Sequence, residues 1–214
     1  MVTQLAVRPQ SPITNEPVAE ESEIEAALKE MGVPYRYLEA RFETFEPRKG
    51  AELALAQAHN WSLVLSGPPG TGKTHLAVAN LAEYASHNIA RAKAYGEYHG
   101  IWWKTRFCNV PRLLERLRRQ VRDEEDHDLL AEYIEADRLV LDDMGAEKFS
   151  DWTSDRLSLL IGARYDNGDD TIVTTNFTLD ELADRGYDRI VSRLCQDGPY
   201  VRIEASDYRL EIQP

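Results

Sequence analysis

The chain has 214 residues, of which 43% are hydrophobic and 29% are charged, and its formal net charge is −12. This apolar fraction supports a buried core, so the composition excludes wholesale disorder and is typical of one α/β domain with a modest extension. The negative charge argues against a protein that coats nucleic acid over its whole surface.

Residues 1–22 contain three prolines and few large apolar groups, which predicts a flexible tail without the apolar segment of a signal peptide. Apolar residues at helical spacing predict a helix over residues 21–31. We expect residues 23–47 to form a short helical extension and residues 48–214 to form the main domain.

Within residues 48–214, strand and helix patterns alternate, which predicts a five-stranded parallel sheet with helices on both faces. The predicted strands are 61–66, 102–109, 138–143, 171–175 and 200–203. The predicted helices are 51–59, 74–86, 111–125, 128–135, 153–165, 179–184 and 189–195. The polar stretch 87–100 predicts a loop or an extended hairpin.

A glycine-rich string follows the first predicted strand. Residues 67–74 read GPPGTGKT, which fits the phosphate-binding pattern G-x-x-x-x-G-K-[ST] between a strand and a helix. Glycines let backbone N–H groups turn towards phosphate oxygens, and the following helix directs its positive end at them. We expect Lys73 to reach the β- and γ-phosphates of ATP and Thr74 to ligate Mg²⁺. The flanking elements disfavour the alternative, a glycine-rich turn with a chance lysine.

Two carboxylates end the third predicted strand. Asp142 is predicted to hold Mg²⁺, and Asp143 to orient and polarise the attacking water. An apolar run ending in two aspartates is also typical of a strand entering a loop, but the nearby phosphate-binding string favours the catalytic interpretation.

Asn176 follows the fourth predicted strand and is predicted to sense the γ-phosphate or the attacking water. An Asx-turn or a cap for the next helix is the alternative. The order of strand, phosphate loop, carboxylates and polar strand end favours the sensor.

Over about residues 36–210, the chain resembles the DnaC/IstB family of AAA+ ATPases, which includes bacterial helicase loaders and transposition ATPases. The most specific matching string is LDDMGAEK at residues 141–148. The other matching strings are RFETF at 41–45, GPPGTGKTH at 67–75, DW at 151–152, ARY at 163–165, TTN at 174–176, RIVSRL at 189–194 and DYR at 207–209.

The resemblance implies an AAA+ P-loop fold. Because only five residues follow Arg209, we expect no lid domain or a minimal one. The resemblance also implies a homo-oligomer in which Arg193 of one subunit is offered to the ATP of its neighbour, with Arg189 as the fallback. A surface arginine that pairs with Asp188 or Asp197 is the alternative for Arg193. Arg209 is a candidate second sensor. The residues expected around the nucleotide are Gly67, Pro68, Pro69, Gly70, Thr71, Gly72, Lys73, Thr74 and His75.

One predicted helix is strongly basic. Residues 111–125 carry Arg112, Arg116 and Arg119 on one side, opposite Leu113, Leu114, Leu117 and Val121. Such a stripe suits a sequence-tolerant grip on single-stranded DNA. A solvated face that pairs with the following acidic stretch, or with a neighbouring subunit, is the alternative.

Together these features predict a cytoplasmic ATPase that loads or remodels a DNA-bound partner, foremost a replicative helicase. The alternatives are an IstB-like regulator of a transposase, an ATP-dependent switch with little turnover, and a small-molecule kinase on the same P-loop. A kinase needs neither the Asn176 sensor nor the Arg193 finger, which disfavours it.

Two separated cysteines and scattered histidines predict neither disulfides nor zinc, and no apolar run predicts a membrane span.

Overall fold

The computed structural model describes residues 18–47, 49–96, 104–123 and 128–208, without the side chain of residue 123. The predictions for residues 1–17, for residues 97–100 of the predicted loop, for the strand start at Trp102 and for Arg209 lie outside the described residues. So do residues 124–127 of the acidic stretch.

Fifteen short elements make up the described part of the chain. The helices are α1 (Glu21–Glu30), α2 (Glu52–Gln57), α3 (Lys73–Tyr95), α4 (Val110–Asp123), α5 (Leu129–Ile134), α6 (Asp151–Asn167), α7 (Leu179–Leu182) and α8 (Asp188–Asp197). The strands are β1 (Leu63–Ser66), β2 (Thr105–Asn109), β3 (Arg138–Met144), β4 (Asp170–Thr175) and β5 (Tyr200–Arg202). A 3-10 turn spans Tyr35–Tyr37, and a π-helical turn spans Ala183–Tyr187.

The five strands form one sheet in the order β2-β3-β4-β1-β5, and all four pairings are parallel. Alternate residues of a strand face opposite sides. Leu65 therefore joins the core cluster under α1, α2 and α3, whereas Val64 joins the cluster under α4, α5, α6 and α8. The predicted parallel sheet with helices on both faces is confirmed.

Because the sheet is parallel, the carboxyl ends of its strands meet at one edge, where ligands of such folds bind. The edge carries the GPPGTGKT loop after β1, Asp142 and Asp143 on β3, and Asn176 after β4. Sequence position alone separates these groups widely, and the strand order brings them together.

The predicted loop over 87–100 is wrong for residues 87–95, because α3 continues to Tyr95. Ala85, Ile89 and Ala92 are buried at helical spacing in the same core cluster or beside it. The helix ends at Gly96, whose φ of +70° suits a glycine cap. Polar residues between these small apolar positions concealed the period from the sequence.

The N-terminal helix α1 packs on the extended α3. Lys93 Nζ lies 2.6 Å from Glu23 Oε2, and the Phe107 N–H donates to the Met31 carbonyl at 2.7 Å. Helix α1 begins at Glu21, inside the segment predicted as tail. The boundaries at 22/23 and 47/48 otherwise stay predictions.

The predicted face of α4 holds for three of its four apolar residues. Leu113, Leu114 and Leu117 are buried, whereas Val121 is 71% exposed. Val121 lies in the last turn of the helix, where the apolar contacts of the core have ended.

None of the helices in the described residues combines the length and apolar character that crossing a bilayer needs.

Candidate nucleotide site

The phosphate-binding loop is held open by its glycines. Gly67, Gly70 and Gly72 have φ values of +144°, +73° and +95°, a region that favours glycine. The Gly67 N–H donates to the Thr175 carbonyl at 3.2 Å, which ties the loop to the end of β4. Thr71, which is fully buried, donates its hydroxyl to the Pro68 carbonyl at 2.9 Å and closes the turn.

Each loop glycine also lies against a protein neighbour. A Cβ on Gly67 would come within 2.3 Å of the Ile203 carbonyl oxygen, and one on Gly70 within 1.7 Å of Asp207 Oδ1. A Cβ on Gly72 would lie 2.5 Å from the Phe45 ring. The loop is thus enclosed by the chain on its outer side as well as open to the cavity.

Lys73 begins α3 and turns its amine back into the loop. Its Nζ donates to the carbonyls of Gly67 and Pro68, both at 2.7 Å, and the residue is only 5% exposed. The cation therefore lies inside the loop that the sequence predicts to hold phosphates.

Asp142 is the most buried carboxylate of the site. It accepts hydrogen bonds from Thr74 at 2.7 Å and from Thr174 at 2.8 Å, and it is 4% exposed. Burial raises the pKa of Asp142, while the two hydroxyls oppose that rise by stabilising the charged form.

Asp143 adopts a left-handed backbone conformation with φ of +59°, which is uncommon for a residue other than glycine and is associated with functional sites. Its N–H donates to Thr174 Oγ1 at 3.0 Å, and Asn109 Nδ2 lies 3.4 Å from its Oδ2. Thr174 therefore contacts both aspartates, by accepting from one and donating to the other.

Asp143, Asn176, Lys73 and Thr74 line one cavity of about 440 Å³ at the carboxyl edge of the sheet. Its far end is formed by the segment before β1, which the sequence did not predict to contribute. That end includes Arg36, Tyr37, Thr44, Phe45 and Glu46.

His75 joins the two ends of the site. Its Nε2 lies 2.8 Å from the Arg41 carbonyl, an acceptor, so this nitrogen carries the hydrogen and donates. Burial lowers the pKa of His75, which favours the neutral ring. The side chain anchors the first turn of α3 to the RFETF segment.

Arg193 does not line the cavity of its own chain. Its guanidinium lies over Gly162 of α6, where a Cβ would stand 3.4 Å from Arg193 Cζ. Arg189 is exposed on the same helix, α8. The structure thus brings together the residues predicted around the nucleotide and leaves the two arginines at a separate surface.

Several contributors to the site were not predicted from the sequence: Asn109, Thr174, Arg36, Tyr37, Thr44, Phe45, Glu46 and Tyr208. Asn109 ends β2 as Asn176 follows β4, so a polar residue at a strand end was the available signal. Thr174 stood within a recognised string, but its two contacts depend on the pairing of β3 with β4.

The basic face of α4 is exposed at Arg112, Arg116 and Arg119. Arg116 donates to the Tyr133 hydroxyl at 3.2 Å, and Arg119 forms an ion pair with Glu115 one turn earlier. In the following acidic stretch, Glu132 pairs with Arg106 on β2 at 2.6 Å.

Residues 44–213 match the model of a family described as IstB-like ATP binding protein. The chain belongs to this family. The IstB-like match spans the phosphate loop, both aspartates and Asn176, and so covers the site described above. No curated protein matches the chain significantly in sequence.

Among solved structures, the IstB-like chain is similar to the DnaC helicase loader, with 30% identity and a TM-score of 0.63 over 80% of this chain and 100% of that chain. DnaI matches with 22% identity and a TM-score of 0.64, over 81% of this chain and 93% of that one. AMPPCP-bound DnaA from Aquifex aeolicus matches with 21% identity and a TM-score of 0.60, over 84% of this chain and 54% of that one. The latter two likenesses show a shared AAA+ fold.

Proposed function

We propose that this protein binds ATP with Mg²⁺ and hydrolyses it. The observation that carries the proposal is the Thr174 hydroxyl, which fixes Asp142 and Asp143 relative to each other beside the phosphate loop. A nucleotide in this site would find Lys73 as the cation, Thr74 and Asp142 as the pair that would hold Mg²⁺, and Asp143 as the base.

The donor set at Thr74 and Asp142 suits Mg²⁺, which prefers hard oxygen ligands and keeps several waters. The described residues contain no cluster of three or more His, Cys, Asp or Glu side chains that could hold a metal. These two side chains, together with phosphate oxygens and water, would complete the shell. The ion supplies charge neutralisation to the phosphates when bound.

Lys73 would exchange its two carbonyl partners for phosphate oxygens when ATP enters. The two carbonyls keep the amine inside the loop before that exchange, so little side-chain ordering remains to be done on binding. Backbone N–H groups of the glycine-rich loop and the start of α3 add donors for the same oxygens.

Asp143 would accept the proton from the water that attacks the γ-phosphorus, as the bond from that phosphorus to the bridging oxygen of ADP breaks. Asp143 lines the cavity, and so does Asn176. Asn176 would orient the same water or the γ-phosphate through its amide.

Arg193 would complete the site of a neighbouring subunit. It stands outside its own cavity, and its guanidinium is supported by the bare backbone at Gly162. A planar cation suits the charge that spreads over a transferring phosphoryl group. Hydrolysis would then require a homo-oligomer.

The work done by hydrolysis would be the loading of a replicative helicase onto single-stranded DNA. The likeness to the DnaC helicase loader, at 30% identity, supports this partner. The exposed arginines of α4 support the DNA contact, because a cationic stripe on a protein of net charge −12 concentrates the attraction for phosphates at one face.

A second candidate is the regulation of a transposase, the role expected of IstB-type transposition ATPases, because residues 44–213 match an IstB-like family. Both candidates use the same ATP site, and they differ in the partner that responds to it.

Phosphate release from ATP tests the proposal. We expect release with water as the only acceptor, a turnover number that rises with protein concentration, and further stimulation by single-stranded DNA. Transfer of phosphate to a small molecule would indicate a kinase, and tight ATP binding without release would indicate a switch. Stimulated loading of purified helicase, but not of transposase, would select the first partner.

A further inference from the structure

The loop after β3 carries a carboxylate that the proposed reaction does not use. Glu147 accepts hydrogen bonds from the N–H of Gly145, with distances of 3.2 and 3.0 Å to its two oxygens. Gly145 lies two residues after Asp143 and has φ of +90°. Glu147 thus closes a tight turn directly behind the candidate base.

The same carboxylate reaches a second element. Tyr187 donates its hydroxyl to Glu147 Oε1 at 2.6 Å, although 40 residues separate them. Tyr187 is 1% exposed and directly precedes α8, the helix that carries Arg189 and Arg193. Burial raises the pKa of Tyr187, so its hydroxyl stays a donor.

Packing reinforces this link on both sides. Phe149 contacts the Tyr187 ring edge-on, with 5.5 Å between ring centroids, and it lies so close to Gly186 that a Cβ there would come within 2.6 Å. Phe177 lies against Gly145, where a Cβ would come within 2.7 Å of its ring. The turn and the start of α8 are therefore linked by ring packing as well as by the hydrogen bond.

We infer that Glu147 and Tyr187 are positioning residues that hold α8, and with it Arg193, in register with the loop that carries Asp143. The inference rests on the proposed hydrolysis with an arginine supplied in trans. One hydrogen bond would thereby couple Asp143, which acts in the subunit's own ATP site, to Arg193, which the subunit offers to the ATP site of its neighbour.

The test is Tyr187→Phe, which removes only the hydroxyl and keeps the ring between Phe149 and the core. We expect the KM for ATP to stay unchanged and kcat to fall about tenfold, the loss that corresponds to one hydrogen bond to a charged acceptor. The matched control is Tyr165→Phe. It removes a 2.7 Å hydrogen bond from Tyr165 on α6 to Gln196 on α8 but leaves the Glu147 loop intact. We expect the control to turn over normally.

Subunit mixing separates a positioning role from general weakening of the fold. Tyr187→Phe protein has an intact P-loop, and Lys73→Ala protein offers a well-placed Arg193, so mixing them should restore part of the turnover. Glu147→Gln, which keeps one acceptor oxygen, should give a milder defect with the same rescue. In an Arg193→Ala background, Tyr187→Phe should add little further loss.

Normal kcat in Tyr187→Phe, a defect that mixing fails to rescue, or an equal defect in Tyr165→Phe would each overturn the inference. These results are distinct from failure of the proposed function itself. Failure of the proposed hydrolysis would appear as no release of phosphate by the unchanged protein, and failure of the Arg193 finger as normal turnover in Arg193→Ala, whatever Tyr187 does.

Discussion

Thr174 donates its hydroxyl hydrogen to Asp142 across two neighbouring strands, with 2.8 Å between Oγ1 and Oδ1. The bond stabilises the charged carboxylate, whose pKa is raised by burial above the usual 3.8. Since a protonated Asp142 cannot serve Mg²⁺, affinity for ATP with Mg²⁺ should fall as the pH is lowered through this raised pKa. Without a ligand, the same raised pKa affects stability in the opposite direction. As the pH rises above 3.8, the carboxyl ionises more readily in the unfolded chain than in the folded one, so the free energy of unfolding falls.

Replacing Thr174 by Val should move the acidic fall in ATP–Mg²⁺ affinity to higher pH, because one hydrogen bond to the charged form is lost. Binding titrations across pH measure this shift. Thr175→Val is the control, since Thr175 donates to the Met144 carbonyl at 2.7 Å and not to a carboxylate. Both variants should lose about 1–3 kcal/mol of stability, but only the first should move the pH profile. Equal profiles would count against the role given to Thr174.

Lys73→Ala should abolish ATP binding, because the β- and γ-phosphates lose the only side-chain cation of the phosphate loop. Lys29→Ala is a suitable control, since Lys29 is exposed on α1 and pairs with Glu25. Fluorescent-nucleotide binding would show the difference. Undiminished affinity in Lys73→Ala would remove the basis of the phosphate-binding assignment.

The two aspartates should separate by their phenotypes. Asp143→Asn should bind ATP with Mg²⁺ yet hydrolyse it slowly, because an amide cannot accept the proton of the attacking water. Asp142→Asn should weaken the Mg²⁺-dependent part of binding. Paired binding and phosphate-release assays measure both effects, and identical behaviour of the two variants would refute the division of roles.

Replacing Arg112, Arg116 and Arg119 together by Glu should remove affinity for single-stranded DNA and leave basal ATP hydrolysis intact. The slope of log affinity against log salt should flatten by roughly 2, since each lost phosphate contact on a single strand contributes about 0.7. The control changes Lys29, Arg91 and Arg202 to Glu, which alters the net charge equally at exposed positions away from α4. Unchanged affinity in the α4 variant would return this face to a solvated role.

Arg193→Ala should bind ATP normally and hydrolyse it slowly, by on the order of 10³-fold if the finger is as valuable as in related NTPases. Mixing it with Lys73→Ala protein should restore part of the turnover, because some interfaces then pair an intact P-loop with an intact finger. Full activity of the single variant would exclude a shared site through this residue and leave Arg189 as the candidate.

Local patterns were sufficient to predict the strands and the order of the chemical groups along the chain. The parallel strands were predicted correctly. The meeting of the GPPGTGKT loop, Asp142, Asp143 and Asn176 at one edge follows from that arrangement. The bridge made by Thr174 and the contact of Asn109 depend on which strands are neighbours, and no local pattern encodes that. Residues 87–95 of α3 were missed because only Ile89 and Ala92 are buried there, among polar residues.

The glycines of the phosphate loop have a consequence for how such a motif is interpreted. Gly67 has no room for a side chain because the backbone carbonyl of Ile203, far along the sequence, lies against it. Its identity is therefore dictated twice, by the chain's own return past the loop and by the backbone turn around a nucleotide. A glycine at this position would be required even of a descendant that had lost ATP, so long as the Ile203 carbonyl kept its place. In this protein, part of the glycine pattern that indicates an ATP site is also required by packing within the chain.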